Sequence, residues 1–375
     1  MVRRVFSVCL VLCLSLIMFG RTEATALSAK SAVAINATTG EILFAVNPEQ
    51  RMSMASTTKI MTALLLAEEA DLTQTLVTTK EMVTVEGSSM GLREGDTVSY
   101  YALLVGMLLA SGNDAANTTA IALSGSIDAF VEKMNAKARQ IGMKNTNFVT
   151  PSGLDDEAHY STAYDMALLG AYAMNNPIFS KVAASKTMTV EYGNPPYRRT
   201  LTNHNRLLSM YDSAIGVKTG FTKKSGRCLV SAAENENGRV IAVTLNAPDD
   251  WNDHIQMLNQ GLSTLKMSTL QYQETLQMDI VGGIGDRVSL IVESVTVSLT
   301  EDSQRKITQQ ISLPRFCYAP VQKGATVGEV TYFYENKKIK TAAIKISESV
   351  SAQPTAGCFE QFAACFKLLV AQLGV

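Results

Sequence analysis

The sequence predicts an α+β protein: one antiparallel sheet gathered from both ends of a large N-terminal unit, with helices inserted between its strands, then a small all-β unit and an amphipathic helix. Three observations carry that prediction. Strand-like runs stand at residues 32–45 and again at 228–245, with long helix-compatible apolar stretches between them. Beyond about Met278 the texture changes to short alternating runs. After the linker-like Ser351-Ala352-Gln353-Pro354-Thr355, apolar residues recur at helical spacing to the end of the chain.

The 375 residues suffice for a sizeable core and two domains. With 33 basic against 34 acidic residues there is no excess of positive charge, so nucleic acid is not an expected partner. The chain opens Met1-Val2-Arg3-Arg4, continues in an apolar stretch from Val5 to Phe19 and reaches a small-residue site at Ala24-Thr25-Ala26, the pattern of a secretory signal peptide over residues 1–26. That stretch is shorter than the roughly 20 residues a bilayer span requires. Of six cysteines, Cys9 and Cys13 fall inside it. Cys228, Cys317, Cys358 and Cys365 have neither metal-ligand spacing nor the density of a disulfide framework, so free thiols are expected, with a Cys228–Cys317 pair left open.

In chain order, Ala32–Ile35 and Ile42–Ala45 flank turn residues 36–40 and read as a hairpin. A helix starts at Ala55-Ser56-Thr57-Thr58-Lys59, and Gly87, Gly91 and Gly95 mark a loop. Tyr100–Ala110 reads as an apolar helix broken at Ser111-Gly112-Asn113-Asp114, with helix resuming over Ala115–Leu123. Further helices are expected over Phe130–Ile141, with Gly142 as C-cap, and Tyr164–Met174, so residues 70–175 read as a mostly helical insertion. Strands follow at 188–192, 228–232 and 240–245, the last two joined by Asn235-Glu236-Asn237-Gly238, and a helix from Trp251 to Leu265 closes the unit. In the all-β unit, runs at 288–292, 295–299, 330–334 and 339–346 alternate, and Gly282-Gly283-Ile284-Gly285 lacks the lysine and helix of a phosphate loop and reads as a tight turn. Near the end, Phe359, Phe362, Ala363, Phe366, Leu369, Val370 and Leu373 share one helical face, suited to a membrane interface or to docking on the β unit.

Three polar clusters sit at the edges of expected elements: Ser56-Thr57-Thr58-Lys59, Ser111-Gly112-Asn113 and Lys218-Thr219-Gly220-Phe221-Thr222. In the first, a hydroxyl and an amine three residues apart share a helix face, and a nucleophilic serine needs a base within hydrogen-bond reach. Taken singly, these clusters also fit an N-cap, a helix-breaking turn and a strand exit. Together and in this order they match the S-x-x-K, S-x-N and K-T-G set of penicillin-binding proteins and class A β-lactamases. The chain resembles the D-alanyl-D-alanine carboxypeptidase family of low-molecular-mass penicillin-binding proteins, also through Gly87-Ser88-Ser89-Met90-Gly91-Leu92 and Ser161-Thr162-Ala163-Tyr164-Asp165.

That resemblance covers nearly the whole chain. It implies a signal peptide (1–26), a serine D,D-peptidase domain (27–275) of the penicillin-binding/β-lactamase-like fold, an all-β domain (276–350) and a linker with a membrane-anchor helix (351–375), at the outer face of the cytoplasmic membrane. It implies Ser56 as nucleophile and Lys59 as its base, Ser111 as proton relay and Asn113 as a positioning group. Lys218 and Thr219 would hold the substrate carboxylate, Gly220 would let the substrate strand approach, and the backbone N–H groups of Ser56 and Phe221 would form the oxyanion hole. The implied partners are a peptidoglycan stem peptide, β-lactams as inhibitors and the membrane surface, with no cofactor. A β-lactamase would add an E-x-x-L-N signature between Ser111 and Lys218, which Glu132 and Glu157 do not provide. A catalytically silent cell-wall binder is the remaining alternative. His159, His204 and His254 have no partner at triad spacing and receive no catalytic role, although the loop from Gly153 to Ser161 is a candidate wall of the cleft.

Overall fold

The computed structural model describes residues 27–354 and residue 366. The expected signal peptide and, but for Phe366, the expected C-terminal helix lie outside the described residues. The strands of the first part are β1 (Ser31–Asn36), β2 (Ile42–Val46), β3 (Thr75–Val77), β4 (Thr97–Ser99), β5 (Thr187–Gly193), β6 (Pro196–Thr202), β7 (Ala214–Thr222), β8 (Gly226–Asn235) and β9 (Gly238–Leu245). Its helices are α1 (Lys59–Glu69), α2 (Lys80–Val83), α3 (Tyr100–Leu108), α4 (Asn113–Ser124), α5 (Ile127–Ile141), α6 (Ala163–Ala173), α7 (Pro177–Ala183), α8 (Leu207–Met210) and α9 (Asp250–Thr264). The second part contains β10 (Lys266–Leu270), β11 (Leu276–Val281), β12 (Arg287–Val292), β13 (Val295–Leu299), α10 (Glu301–Arg305), β14 (Ile307–Ser312), β15 (Phe316–Tyr318), β16 (Thr326–Tyr334) and β17 (Lys337–Ile346).

The main sheet runs β2-β1-β9-β8-β7, antiparallel throughout, so the two ends of the unit do meet in one sheet. Both of its faces are covered, which is why every residue of β1 is buried rather than every second one. Val33, Ile35, Val230, Ile241 and Val243 join the large core shared with α1, α3 and α6. Ala32, Ala34, Ala233, Val240 and Ala242 pack on Met257, Leu258 and Leu262 of α9. Small alanines on that second face let α9 lie close to the sheet.

The expected strand at 188–192 is β5, yet it joins a separate sheet, β3-β4-β5-β6, rather than the main one. Three-residue strands such as β3 and β4 carry too few residues to show a period, so the stretch read as a helical insertion hides a sheet edge. β6, β7, β10, β11, β14 and β15 are also strands that the sequence pattern does not mark, and β7 is the one that matters for the site. Its Gly216-Val217-Lys218-Thr219-Gly220 run breaks apolar alternation with a lysine that proves to be 1% exposed.

In the second part, a six-stranded sheet ordered β14-β16-β17-β12-β11-β15 encloses a core of Met278, Ile280, Val288, Leu290, Val330, Tyr332 and Ile344, and β10 pairs with β13. The glycine-rich run at 282–285 is the turn between β11 and β12, as its composition predicts. Cys228 and Cys317 are both free.

Candidate active site

The chain enters the site through a 3-10 turn, Ala55–Thr58, that leads into α1. Ala55 holds φ +48, and Ser111, between α3 and α4, holds φ +58. Both lie in the left-handed region without being glycine, strain of about 1–3 kcal/mol each that the surrounding packing must offset. That turn packs on β7. A Cβ at Gly220 would come within 3.0 Å of the Thr57 nitrogen and 3.1 Å of the Ser56 nitrogen. Gly220 is therefore required by the close approach of the Ser56 turn, besides the approach of a substrate strand that the family resemblance implies.

Lys59 Nζ lies 2.9 Å from Ser56 Oγ and donates to the Ser152 carbonyl at 2.8 Å. Lys59 is wholly buried, and its pKa is held well below the usual lysine value, first by desolvation and then by the charge of Lys218, with Asp114 opposing. Lys218 is also buried, and burial lowers its pKa to about 7. Its Nζ donates to the Thr219 carbonyl at 2.9 Å. Burial is the larger of the two causes and the Lys218 charge the smaller.

The Asn113 side-chain nitrogen donates to the Glu86 carbonyl (2.7 Å) and its backbone N–H to the Ser88 carbonyl (2.7 Å), while its Oδ1 is buried without a partner among the described residues. An unpaired buried acceptor costs about 1–3 kcal/mol, and this one stands ready to accept a ligand N–H. Ser56, Ser111, Thr219, Gly220 and Phe221 line one cleft of about 370 Å³, with the Phe221 side chain 65% exposed at its mouth. A larger groove of about 880 Å³, between the two units, contains none of the residues expected to act.

Four features of the site went unread in the sequence. Asp114, next to the Ser111-Gly112-Asn113 cluster, accepts from Ser89 Oγ and from the backbone N–H groups of Met90, Gly91 and Leu92 at 2.6–3.0 Å, and so ties the 86–92 loop to the start of α4. Its place in the first turn of a helix was the available signal. Arg227 reaches the cleft from β8, pairing with Asp250 (2.7 Å) and lying 5.3 Å from the Trp251 ring centroid. Antiparallel pairing of Phe221 with Arg227 across a tight turn puts it there, which needs a correct strand assignment to foresee. The Ser152 carbonyl is backbone and leaves no trace in residue type. His159, buried, faces Thr58 Oγ1 through Nε2 (2.8 Å) and accepts the Val149 N–H at Nδ1 (2.9 Å), clamping the 149–153 loop to the nucleophile turn. Burial lowers its pKa to about 4, so it is neutral near pH 7.

Two family models and several known proteins match the chain over most of its length. Residues 19–249 match the family model described as D-alanyl-D-alanine carboxypeptidase, and residues 273–352 match the penicillin-binding protein 5 C-terminal domain. The chain is 32% identical over 342 residues to the D-alanyl-D-alanine carboxypeptidase DacF of Bacillus subtilis, covering 88% of each protein. It is 31% identical over 348 residues to DacA of Haemophilus influenzae, covering 86% of each. The solved structure of penicillin-binding protein 5 from Haemophilus influenzae superposes with a TM-score of 0.65 at 29% identity, over 88% of this chain and all of that one.

Proposed function

This chain belongs to the D-alanyl-D-alanine carboxypeptidase family, and from that premise we propose that Ser56 is its nucleophile, with Lys59 as the base that activates it. The protein is a serine-type D,D-carboxypeptidase of the penicillin-binding class. The observation that carries the residue assignment is the 2.9 Å Lys59–Ser56 pair, because the amine is wholly buried and its pKa is depressed. A neutral amine accepts a proton; an ammonium does not.

The reaction follows from the placement of groups. Ser56 Oγ attacks the carbonyl carbon of the penultimate D-alanine and its proton passes to Lys59 Nζ. The backbone N–H groups of Ser56 and Phe221 receive the oxyanion, a stabilisation of about 3–4 kcal/mol per donor. The peptide bond breaks, the proton reaches the leaving amine by way of Ser111, and D-alanine departs. Water then attacks the Ser56 ester, releasing the shortened stem peptide and restoring the serine proton. Lys218 and Thr219 bind the terminal carboxylate, and Arg227, held by Asp250, adds a second cation on that side of the cleft. Asn113 Oδ1 accepts the substrate's backbone N–H, which supplies its missing partner. A β-lactam enters by the same attack and leaves an acyl-enzyme.

The C-terminal segment, residues 351–375, acts in this reading as a peripheral anchor on the outer face of the cytoplasmic membrane. Its apolar stripe from Phe359 to Leu373 supports it, and no described helix is long and apolar enough to cross a membrane.

A fluorescent penicillin, followed together with D-alanine release from a stem pentapeptide, tests the mechanism. The expected result is a stable adduct and turnover in the wild type, and neither in Ser56→Ala. A persistent adduct in that variant refutes the assignment of Ser56.

A further inference from the structure

The β unit carries an apolar corner that the cleft chemistry does not use. Along β15, alternation sends Phe316 and Tyr318 outward from the sheet, and the parallel register sets Asp279 beside Phe316 and Val281 beside Tyr318. The two rings meet edge to face, centroids 5.4 Å apart. Tyr318 is 69% exposed, Ile284 in the adjoining turn 63%, Val281 47% and Phe316 45%. One rung further, Asp279 pairs with Arg287, whose side chain is two-thirds exposed at 67%. Single exposed apolar residues are ordinary, but four gathered at one sheet corner mark a contact surface.

The chain leaves the β unit at the rim of this corner. Ala352 bridges Gly283, the Ile284 N–H donates to the Ser351 carbonyl, and the Gln353 N–H donates to the Gly282 carbonyl at 2.8 Å. Ser351–Gln353, the described residues that precede the segment bearing Phe359, Phe362, Phe366 and Leu369 in sequence, therefore lie beside Gly282–Ile284.

We propose that the corner formed by Phe316, Tyr318, Val281 and Ile284 rests on the lipid surface, as a second contact beside the C-terminal segment. This rests on the reading of that segment as a lipid anchor. The composition suits a headgroup layer better than a protein groove: a phenol and a phenyl ring with one polar end in water, and an arginine at the rim within reach of lipid phosphates. A segment that lays its own apolar stripe in the bilayer has no second stripe left to cover the corner. Two contacts rather than one also fix the tilt of the β unit, and with it the direction in which the cleft faces the cell wall.

The test uses the full chain and vesicles of phosphatidylethanolamine and phosphatidylglycerol, some with brominated acyl chains. Tyr318→Trp introduces an indole in a protein whose other tryptophan, Trp251, lies in the cleft. The bromolipid is expected to quench the added fluorescence. Phe316→Ser combined with Tyr318→Ser is expected to lower vesicle partition about tenfold while leaving D-alanine release from a soluble peptide unchanged. Absence of quenching, with wild type and double variant pelleting equally, overturns the proposal and leaves the anchor standing. An indole shielded from both bromolipid and aqueous iodide, and uncovered by deleting residues 358–375, shows instead that the segment covers the corner and also overturns it. If that deletion leaves pelleting of the wild type unchanged, the anchor reading fails, and quenching at the corner still decides the proposal independently.

Discussion

The two units of this chain are both built on antiparallel pairing, but they bury different chemistry. In the catalytic unit the interior holds Lys59, Lys218, Asp114, Asp165, His159 and His254, each 5% exposed or less. In the β unit the buried polar groups are hydroxyls such as those of Ser298, Ser303, Thr331 and Tyr332, and ion pairs such as Lys266–Glu301 and Arg287–Asp279 sit in solvent with both partners more than 60% exposed. Burying a charge costs several kcal/mol unless it is paired or neutralised. The catalytic unit carries that cost at the proposed site and at the loop that Asp114 ties down, while the ion pairs Lys266–Glu301 and Arg287–Asp279 of the β unit stay in solvent.

The sharpest way to break this contrast is to take a buried charge away. Lys59→Met is expected to reduce D-alanine release and penicillin acylation by about 10⁴-fold, since it removes the base proposed for Ser56. Yet it should raise the melting temperature. The folded pKa of Lys59 lies below its unfolded value, so the unfolded chain binds the extra proton and the native state loses stability as pH falls below the usual lysine range. Methionine removes that penalty at similar volume. Thermal unfolding across pH 6–9 checks it: a lower melting temperature for the variant would mean that the amine contributes more through its bond to the Ser152 carbonyl than it costs by burial.

The next effect compares carboxylates. Asp114→Ala removes the acceptor of one hydroxyl and four backbone donors, three of them in the 86–92 loop, and should cost about 3 kcal/mol, with loss of activity as that loop and Asn113 shift. Asp279→Ala, on the exposed face of the β unit, should leave denaturant midpoint and turnover unchanged. Equal destabilisation by the two would refute the distinction between the units.

The same contrast explains what the sequence could and could not disclose. In the β unit, hydrophobic alternation and burial coincide, so 288–292, 330–334 and 339–346 were readable as strands. In the catalytic unit, β7, an edge strand, was missed because a buried lysine sits where a buried apolar residue would complete the strand pattern. The three motif clusters were legible because residue types alone define them, and the structure brings Ser56 against Lys59 and lines one cleft with Ser111 and Thr219. What was illegible is carried by backbone or by long-range register: the Ser152 carbonyl, the loop held by His159, and Arg227 arriving across the β7–β8 turn.

A smaller, kinetic effect concerns Lys218. With its pKa near 7 in the free protein, the cation proposed to meet the substrate carboxylate is lost as pH rises through neutrality, so on that proposal kcat/KM should fall on the alkaline side from about pH 7. Bound carboxylate favours the ammonium, so the corresponding limb of kcat should lie at higher pH. Lys218→Arg, which stays charged, should remove the limb from kcat/KM while lowering its maximum about tenfold through imperfect fit. A limb that persists unchanged in the variant would assign the titration to another group.

The smallest expected effect separates the histidines from the lysines. His159 and His254 are neutral when folded, burial having lowered their pKa values from 6.5 to about 4 and about 3. In each case the unfolded chain takes up a proton first as pH falls, so the stability they contribute is complete above about pH 6.5 and is lost progressively toward about pH 4 for His159 and about pH 3 for His254. Protonated, His159 could no longer accept the Val149 N–H at Nδ1, and the clamp on the 149–153 loop would open. His159→Gln keeps an amide donor and acceptor without a titrating group. Its melting temperature should fall less steeply than that of the wild type between pH 6.5 and 4, while the part due to His254, bonded to Ser231 and Thr244 beneath the main sheet, remains. Because β-unit stability has no buried histidine to lose, acid should loosen the catalytic unit first. Two separated transitions near pH 4, the acid-sensitive one carrying the Trp251 fluorescence change, would show it, and a single transition at all pH values would mean that the interface hydrogen bonds from Asn36 to the Ser298 carbonyl and from Ser298 to the Asn237 carbonyl couple the two units into one.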